Sequence, residues 1–372
     1  MKENFTVLYK DTRLLDFAYD ADNWMESSTL EAGAVHTDRF DAPGISGNLE
    51  SWLASRVIPK NRAFVNQILA AAGAGDRTMD KIKVSLGLSL NDNYWVRPEW
   101  LHGGFGEYNL FENDFSEALA LVAFTGHSEK ISGLVSSPEL STDGQYPKCW
   151  RRIGGVNKLY KAGTEGYANA GAEPYCEFYA SQIAEKMGVN SVRYGITKWK
   201  EKVCSVCGAF TDLDTSYVSF SAKYGRKSVK EILGIYDSLG FLDEFITMVI
   251  YDAIVFNCDR HLGNFGFLYN LETGMFMPFP VFDENLALAP GAFGCDLDSL
   301  ESLTDYLKGQ TSSFGTPHDT LVKQLITGNQ KDRLRKLINF SFKRDARHNF
   351  PDNRIKLTEE FIQWRVNTFL SL

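Results

Sequence analysis

The sequence predicts an α+β protein in three regions. Residues 1–134 read as a mixed α/β N-terminal domain, 135–211 as a small sheet with one helix, and 212–372 as a mostly helical unit. Three observations predict this. Two strand candidates, 149–153 and 158–162, flank the turn pair Gly154-Gly155. Segment 174–187 places Cys176, Tyr179, Ala180, Ile183 and Met187 on one face at helical spacing, with Gly188 as its stop. Segment 241–256 is apolar nearly all round, the pattern of a buried central helix.

The other elements follow in chain order. Phe5, Val7 and Tyr9 alternate as in a strand, and 48–57 and 62–72 read as helices separated by Pro59. The run 81–96 begins strand-like and passes into turn residues at Asn91-Asp92-Asn93. A domain boundary is expected within 132–138, which is rich in Ser, Gly and Pro. Strands are expected at 192–196 and 203–210. The segments 267–269 and about 279 should form a hairpin through Glu272-Thr273-Gly274. Leu321, Val322, Leu325 and Ile326 mark a helix that Gly328 should stop, and a terminal helix should carry Thr358 as its N-cap.

Hydrophobic residues make up 44% and charged residues 23% of the 372, which suits an ordinary globular protein. A net charge of -8 argues against a basic nucleic-acid-binding surface. The most apolar stretch, 241–256, contains Asp243, Glu244 and Asp252 and is too short and too charged to span a bilayer. No apolar run follows a basic start, so a cytoplasmic protein is expected. The six cysteines are too scattered for a disulfide framework. Cys204 and Cys207 form a CxxC without a second ligand pair nearby, on a segment that also reads as a strand.

The chemistry concentrates in 257–264, Asn-Cys-Asp-Arg-His-Leu-Gly-Asn, and in Asp283 after an apolar run punctuated by Pro278 and Pro280. Asp259 can take the proton of an attacking hydroxyl, and Asn264, five residues on, can bind magnesium. Asp283 can bind the same ion from a second side. His261 either contacts phosphate or holds the loop. Lys161 shares a strand face with Leu159 and is the candidate phosphate-binding lysine. Glu177 on the following helix can pair with it, with Glu173 a weaker competitor at the helix start. The loop 141–148, Ser-Thr-Asp-Gly-Gln-Tyr-Pro-Lys, is a candidate phosphate cradle, since Gly144 permits close backbone approach. Gly103-Gly104-Phe105-Gly106 is richer in glycine but lies too far before Lys161, and reads as a turn. A sheet with one helix ahead of a helical unit, with the loop after a buried helix, is the bilobal arrangement of a protein kinase.

Over roughly 135–290 the sequence resembles the HipA-like family of bacterial Ser/Thr kinases, whose fold is related to protein and phosphoinositide kinases. Residues 141–148 look like that family's nucleotide loop, Lys161 like its ATP lysine, and 177–188 like the helix that follows. Segment 204–211, with Ala209 and Phe210, falls where the hinge strand should be. Residues 259–264 match the catalytic loop, and Phe282-Asp283 the metal Asp. The resemblance implies ATP as substrate, Mg2+ as cofactor, a protein hydroxyl as acceptor and an antitoxin-type regulatory partner. It implies Ser141, Thr142, Asp143, Gly144, Lys148, Lys161, Glu177, Ala209 and Phe210 around the nucleotide. It also implies regulatory self-phosphorylation at Ser141. Two alternatives stay open: a non-catalytic nucleotide-binding protein on a kinase-like fold, and a kinase acting on a lipid or small molecule. The Asp-Arg-His order is shared with phosphoinositide kinases, but no basic membrane-facing run accompanies it.

Overall fold

A computed structural model describes residues 2–21, 49–127, 137–166, 169–270 and 272–372, with the backbone alone at 27–30. The expected boundary within 132–138 falls almost wholly outside these residues, as does Asn48. The described residues combine helices with antiparallel sheets. They form two compact units that do not follow the chain's linear order. One comprises 1–161, 208–218 and 268–277; the other comprises 162–207, 219–267 and 278–372.

The first unit is built on the sheet β3-β2-β1-β4, with β1 at Lys2–Tyr9, β2 at Thr12–Asp20, β3 at Ser27–Leu30 and β4 at Tyr94–Pro98. The alternation of Phe5, Val7 and Tyr9 puts these side chains on one face. There they form a core with Phe17, Trp52, Met79 and Ile82. Trp52 comes from α1 (Leu49–Ser55) and Ile82 from α3 (Thr78–Ser85), with α2 (Val65–Ala72) between them in the chain.

The strand-like start at 81 is a misreading: residues 78–85 are helical. Ile82, Val84, Leu86, Leu88 and Leu90 alternate, yet Met79 and Ile82, three apart, are the pair that a helix buries. The helix stops where Leu86 and Gly87 turn left-handed, with φ of 54° and 60°. Gly103-Gly104 leads into a single helical turn, Phe105–Tyr108. The antiparallel pair β5 (Lys148–Ile153) and β6 (Val156–Ala162) joins through Gly154 and Gly155 at φ 59° and 78°, the two left-handed positions a two-residue hairpin needs. Helix α4 (Glu117–Thr125) packs on β5.

The second unit gathers α5 (Glu173–Met187), α6 (Val229–Ser238), α7 (Leu242–Val255), α8 (Leu300–Leu307), α9 (His318–Leu325), α10 (Gly328–Arg335) and α11 (Asp352–Leu370). Helix α7 is buried from Phe245 to Val255, as its all-round apolar pattern requires. In the hairpin of β7 (Gly195–Trp199) and β8 (Lys202–Gly208), β8 falls on the expected 203–210, whereas β7 is shifted a few residues beyond the expected 192–196. Residues 192–194 instead approach the segment before Asp283: Val192 N–H donates to Val281 O at 2.8 Å, and Val281 N–H to Asn190 O at 2.8 Å.

Two helix ends differ from expectation. Gly328 opens α10 rather than closing α9; Thr327 N–H donates to Gln330 Oε1 at 3.3 Å, which caps the new helix. Thr358 lies inside α11, its hydroxyl donating back to Arg354 O at 2.7 Å, because Pro351 already starts the helix.

Candidate active site

The second unit holds the loop and the acidic segment. The loop 257–264 leaves α7 through Phe256, whose φ of 54° ends the helix. Asp259 N–H donates to Asn257 Oδ1 at 3.0 Å, and Asn264 Nδ2 to Asp259 O at 3.1 Å. The Ser313 hydroxyl donates to Cys258 O at 2.7 Å. His261 is exposed, and its Nδ1 accepts from Gly263 N–H at 3.0 Å. Of its two readings, the contact observed is the one that shapes the loop.

Arg260 organises this loop. It is 1% exposed, and its guanidinium bridges Asp252 on α7 (Nε 3.0 Å, Nη2 3.0 Å) and Glu284 (2.9 Å). It also donates to Phe282 O and, at 3.4 Å, to Asn264 O. One buried side chain therefore fixes the backbone of Asn264 and the backbone next to Asp283. Burial raises Asp252 and pushes Glu284 up to about 7, against the pull of Arg260, which lowers both.

The sequence reading missed this triad. Its signal was a carboxylate, Asp252, inside an otherwise apolar helix, which requires a buried partner. Asp283 itself has φ 66°, and its N–H donates to the buried Tyr194 hydroxyl at 3.1 Å. Aspartate is among the few residues that accept this conformation.

Glu177 is buried on α5 and accepts from the Ser205 hydroxyl on β8. Its competitor, Glu173, is engaged elsewhere, accepting from Thr164 N–H at 3.1 Å and Thr164 Oγ1 at 2.7 Å. Cys204 and Cys207 are buried in the strand as hydrophobic residues. Burial pushes the Cys258 thiol up to about 11, so the residue before Asp259 is no nucleophile at neutral pH.

The first unit holds the loop 141–148 and the lysines. Ser141 N–H and Thr142 N–H both donate to Pro138 O, at 3.1 and 2.9 Å, and the Thr142 hydroxyl joins them at 2.6 Å. Asp143 Oδ1 accepts from Gly144 N–H at 2.6 Å. Lys148 donates to Asp143 O at 2.7 Å, which closes the loop on itself. Gly144 has φ 91°, and the Lys148 ammonium occupies the space a Cβ would need.

Lys148 and Lys161 stand directly opposite each other across β5 and β6, so both project to one face; both are buried. Two ammonium groups on one face suit an anion as polyvalent as a triphosphate. Ala209 N–H donates to Asn157 O at 3.0 Å, and Phe210 meets Tyr217 edge-on at 5.6 Å.

The donor set suits magnesium, which takes one or two protein oxygens and completes its shell with phosphate and water. Asp283 and Asn264 can provide such oxygens. Among the described residues, no three His, Cys, Asp or Glu side chains cluster as a metal cage. Among these residues, no helix is long and apolar enough to cross a membrane.

No family model matches the chain. The serine/threonine-protein kinase CtkA of Helicobacter pylori strain J99 is 24% identical over 156 residues, spanning 38% of this chain and 48% of that protein. A crystal structure described as the H. pylori proinflammatory kinase CtkA aligns with TM-score 0.47 at 17% identity, over 60% of this chain and 93% of that one. HipA of a Shewanella oneidensis MR-1 toxin–antitoxin system, solved with HipB and operator DNA, aligns with TM-score 0.55 at 12% identity. That alignment covers 99% of this chain and 98% of the other. The chain therefore carries the HipA-like fold, and its resemblance to the HipA-like kinases, borne by residues 135–290, is met in structure by HipA and in sequence by a serine/threonine kinase.

Proposed function

We propose that the chain is an ATP- and magnesium-dependent protein kinase that transfers the γ-phosphoryl group to a serine or threonine hydroxyl. The observation that carries this reading is the Arg260 knot, which fixes the Asn264 backbone beside the segment of Asp283. In this reading Asp259 orients the acceptor hydroxyl and takes its proton. The acceptor oxygen bonds to the γ-phosphorus as the bond to the β–γ bridging oxygen breaks, leaving ADP. Asn264 and Asp283 would hold magnesium, which supplies charge neutralisation on the phosphates. His261 keeps the loop in shape.

Lys161 and Lys148 would bind phosphate oxygens, with Ser141, Thr142, Asp143 and Gly144 forming the loop over them. Glu177 would orient Lys161, and Ala209 and Phe210 would flank the base. Residues 135–211 and 212–372 would serve as the two lobes, with 1–134 as an accessory domain. Self-phosphorylation at Ser141 or Thr142 would place a dianion where the ATP phosphates belong and so inhibit.

The HipA structure contains HipB. A regulatory partner of the antitoxin kind is part of this proposal, as is a cytoplasmic location. The test is incubation of the purified protein with γ-labelled ATP, Mg2+ and cell lysate. Label appearing on protein serine or threonine, and lost in Asp259→Asn, is the expected result. Nucleotide binding without any transfer would replace the kinase reading with a non-catalytic one.

A further inference from the structure

Just before the nucleotide-loop candidate lies a buried ion pair that the proposed chemistry does not use. Arg62 and Glu139 both have side chains with 0% exposure, and their nearest nitrogen and oxygen are 3.6 Å apart. The guanidinium does not direct its fork at the carboxylate. Nη1 donates to Tyr146 O at 2.5 Å and Nη2 to Lys148 O at 2.6 Å, both in the loop 141–148. Neighbouring residues act alike: Ala63 N–H donates to Gln145 O at 2.9 Å, and Ile58 N–H to Leu140 O at 2.7 Å. The segment 58–63 thus holds the residue before the loop and most of its returning limb. Glu139 Oε1 accepts from Trp150 N–H at 2.6 Å, so the carboxylate secures the strand that follows the loop.

A guanidinium left without water needs acceptors in the directions its fork points. Here those acceptors are loop carbonyls. The two carbonyls taken by Arg62 hold the returning limb of the loop and with it the backbone of Lys148, whose ammonium reaches back to Asp143 O. A loop fixed in this way offers the Lys148 ammonium to phosphate without first ordering itself. Ordering several residues costs roughly 1–2 kcal/mol each when it must occur on binding.

We infer that Arg62, with Glu139 as its counter-charge, is a positioning residue for the phosphate loop, and that the N-terminal region is thereby a working part of the nucleotide site. This inference rests on the reading of 141–148 as a nucleotide loop.

The test uses Arg62→Lys, which keeps the charge and loses the fork. Two quantities are measured: hydrogen exchange of peptides covering 139–150 in the nucleotide-free protein, and KM for ATP against kcat. Loop peptides should exchange at least about tenfold faster, while those of α7 and α11 stay unchanged. KM for ATP should rise about tenfold or more, with kcat at saturating ATP within about threefold of the parent. A part with only a structural role would instead lower the amount of active enzyme and leave KM alone.

Should Arg62→Lys not fold, Glu139→Gln keeps the Trp150 bond and removes the counter-charge; it should loosen the same peptides by at least about threefold. Unchanged loop exchange in the folded variant overturns the inference, as does an unchanged KM. If the parent neither binds nor uses ATP, the kinase reading fails, and the exchange measurement alone still decides whether Arg62 holds the loop.

Discussion

Glu284→Gln is the perturbation that best separates the site's electrostatics from its shape. In the parent, one guanidinium faces two buried carboxylates, Asp252 and Glu284, each with about 1–4% side-chain exposure. The cluster carries one negative charge too many for its surroundings, and burial pushes Glu284 up to about 7 from an ordinary 4.5. A carboxylate whose folded value is raised contributes stability that is fully present below the unfolded value. That stability is lost as pH rises through the folded value.

The interval from 4.5 to about 7 corresponds to about 3 kcal/mol, lost between pH 4.5 and pH 7. Glutamine keeps an oxygen for Arg260 Nη2 and removes the charge, leaving a single Arg260–Asp252 pair. The variant should therefore be as stable as the parent at pH 5 and more stable at pH 8, by up to about 3 kcal/mol. Urea unfolding of both proteins at half-unit steps from pH 5 to pH 8 reads this directly. Arg260→Met provides the opposite sign: it strands two carboxylates and should lose about 3–5 kcal/mol at pH 8. Parallel pH profiles for the parent and Glu284→Gln would refute the reasoning.

Other outcomes follow from the same geometry. Asp259→Asn and Asp283→Asn should each lower phosphoryl transfer by about a hundredfold or more with unfolding curves close to the parent's. Asp259→Asn should keep its ATP affinity in calorimetry, whereas Asp283→Asn should weaken it; activity within about threefold of the parent in both would remove the assignment. His318 is held down to about 4 by burial and by Arg365, so the unfolded chain takes up this proton first as pH falls. Its contribution, about 3 kcal/mol, is full above pH 6.5 and lost towards pH 4; an imidazole resonance for His318 that titrates near 6.5 would contradict this. Gly144→Ala must adopt a left-handed backbone and displace the Lys148 ammonium. It should raise KM for ATP severalfold with little change in melting temperature, and an unchanged KM would argue against a tight loop. Intact mass after incubation with Mg-ATP should show an added phosphate on 141–148 that is absent in the Ser141→Ala, Thr142→Ala double variant.

Much of this was legible because it is local. The Gly-Gly turn, the apolar helix α7 and the spacing of Asp259 to Asn264 are written in consecutive residues. The alternation from Ile82 to Leu90 misled because period two also arises when a short helix ends in left-handed turns. Gly328 was ambiguous for a different reason: glycine suits both ends of a helix, and the Thr327–Gln330 cap decides between them.

The partners of the buried Arg62 and Arg260 could not be found this way. Arg62 lies 84 residues from Tyr146, and Arg260 reaches Glu284 24 residues on. Nothing near Arg62 announces a partner; near Arg260 the one sign is Asp252, a carboxylate inside an apolar helix. The packing of the loop 141–148 and β5 with residues that precede them was equally out of reach, because it joins segments far apart in the chain.

The left-handed backbone of Asp283 also bears on how such a protein can change over time. Most side chains at φ 66° carry a strain of order 1 kcal/mol, but asparagine and glycine do not. The substitutions this position tolerates best are therefore the ones that delete its charge. On the proposed kinase reading, a single step to asparagine would leave the Tyr194 contact, the Arg260 knot and the fold in place while silencing phosphoryl transfer. A lineage of such proteins could thus shed catalysis and keep a stable nucleotide-shaped scaffold for other uses. On that reading, the residue to inspect first in telling active members from silent ones is the one at 283.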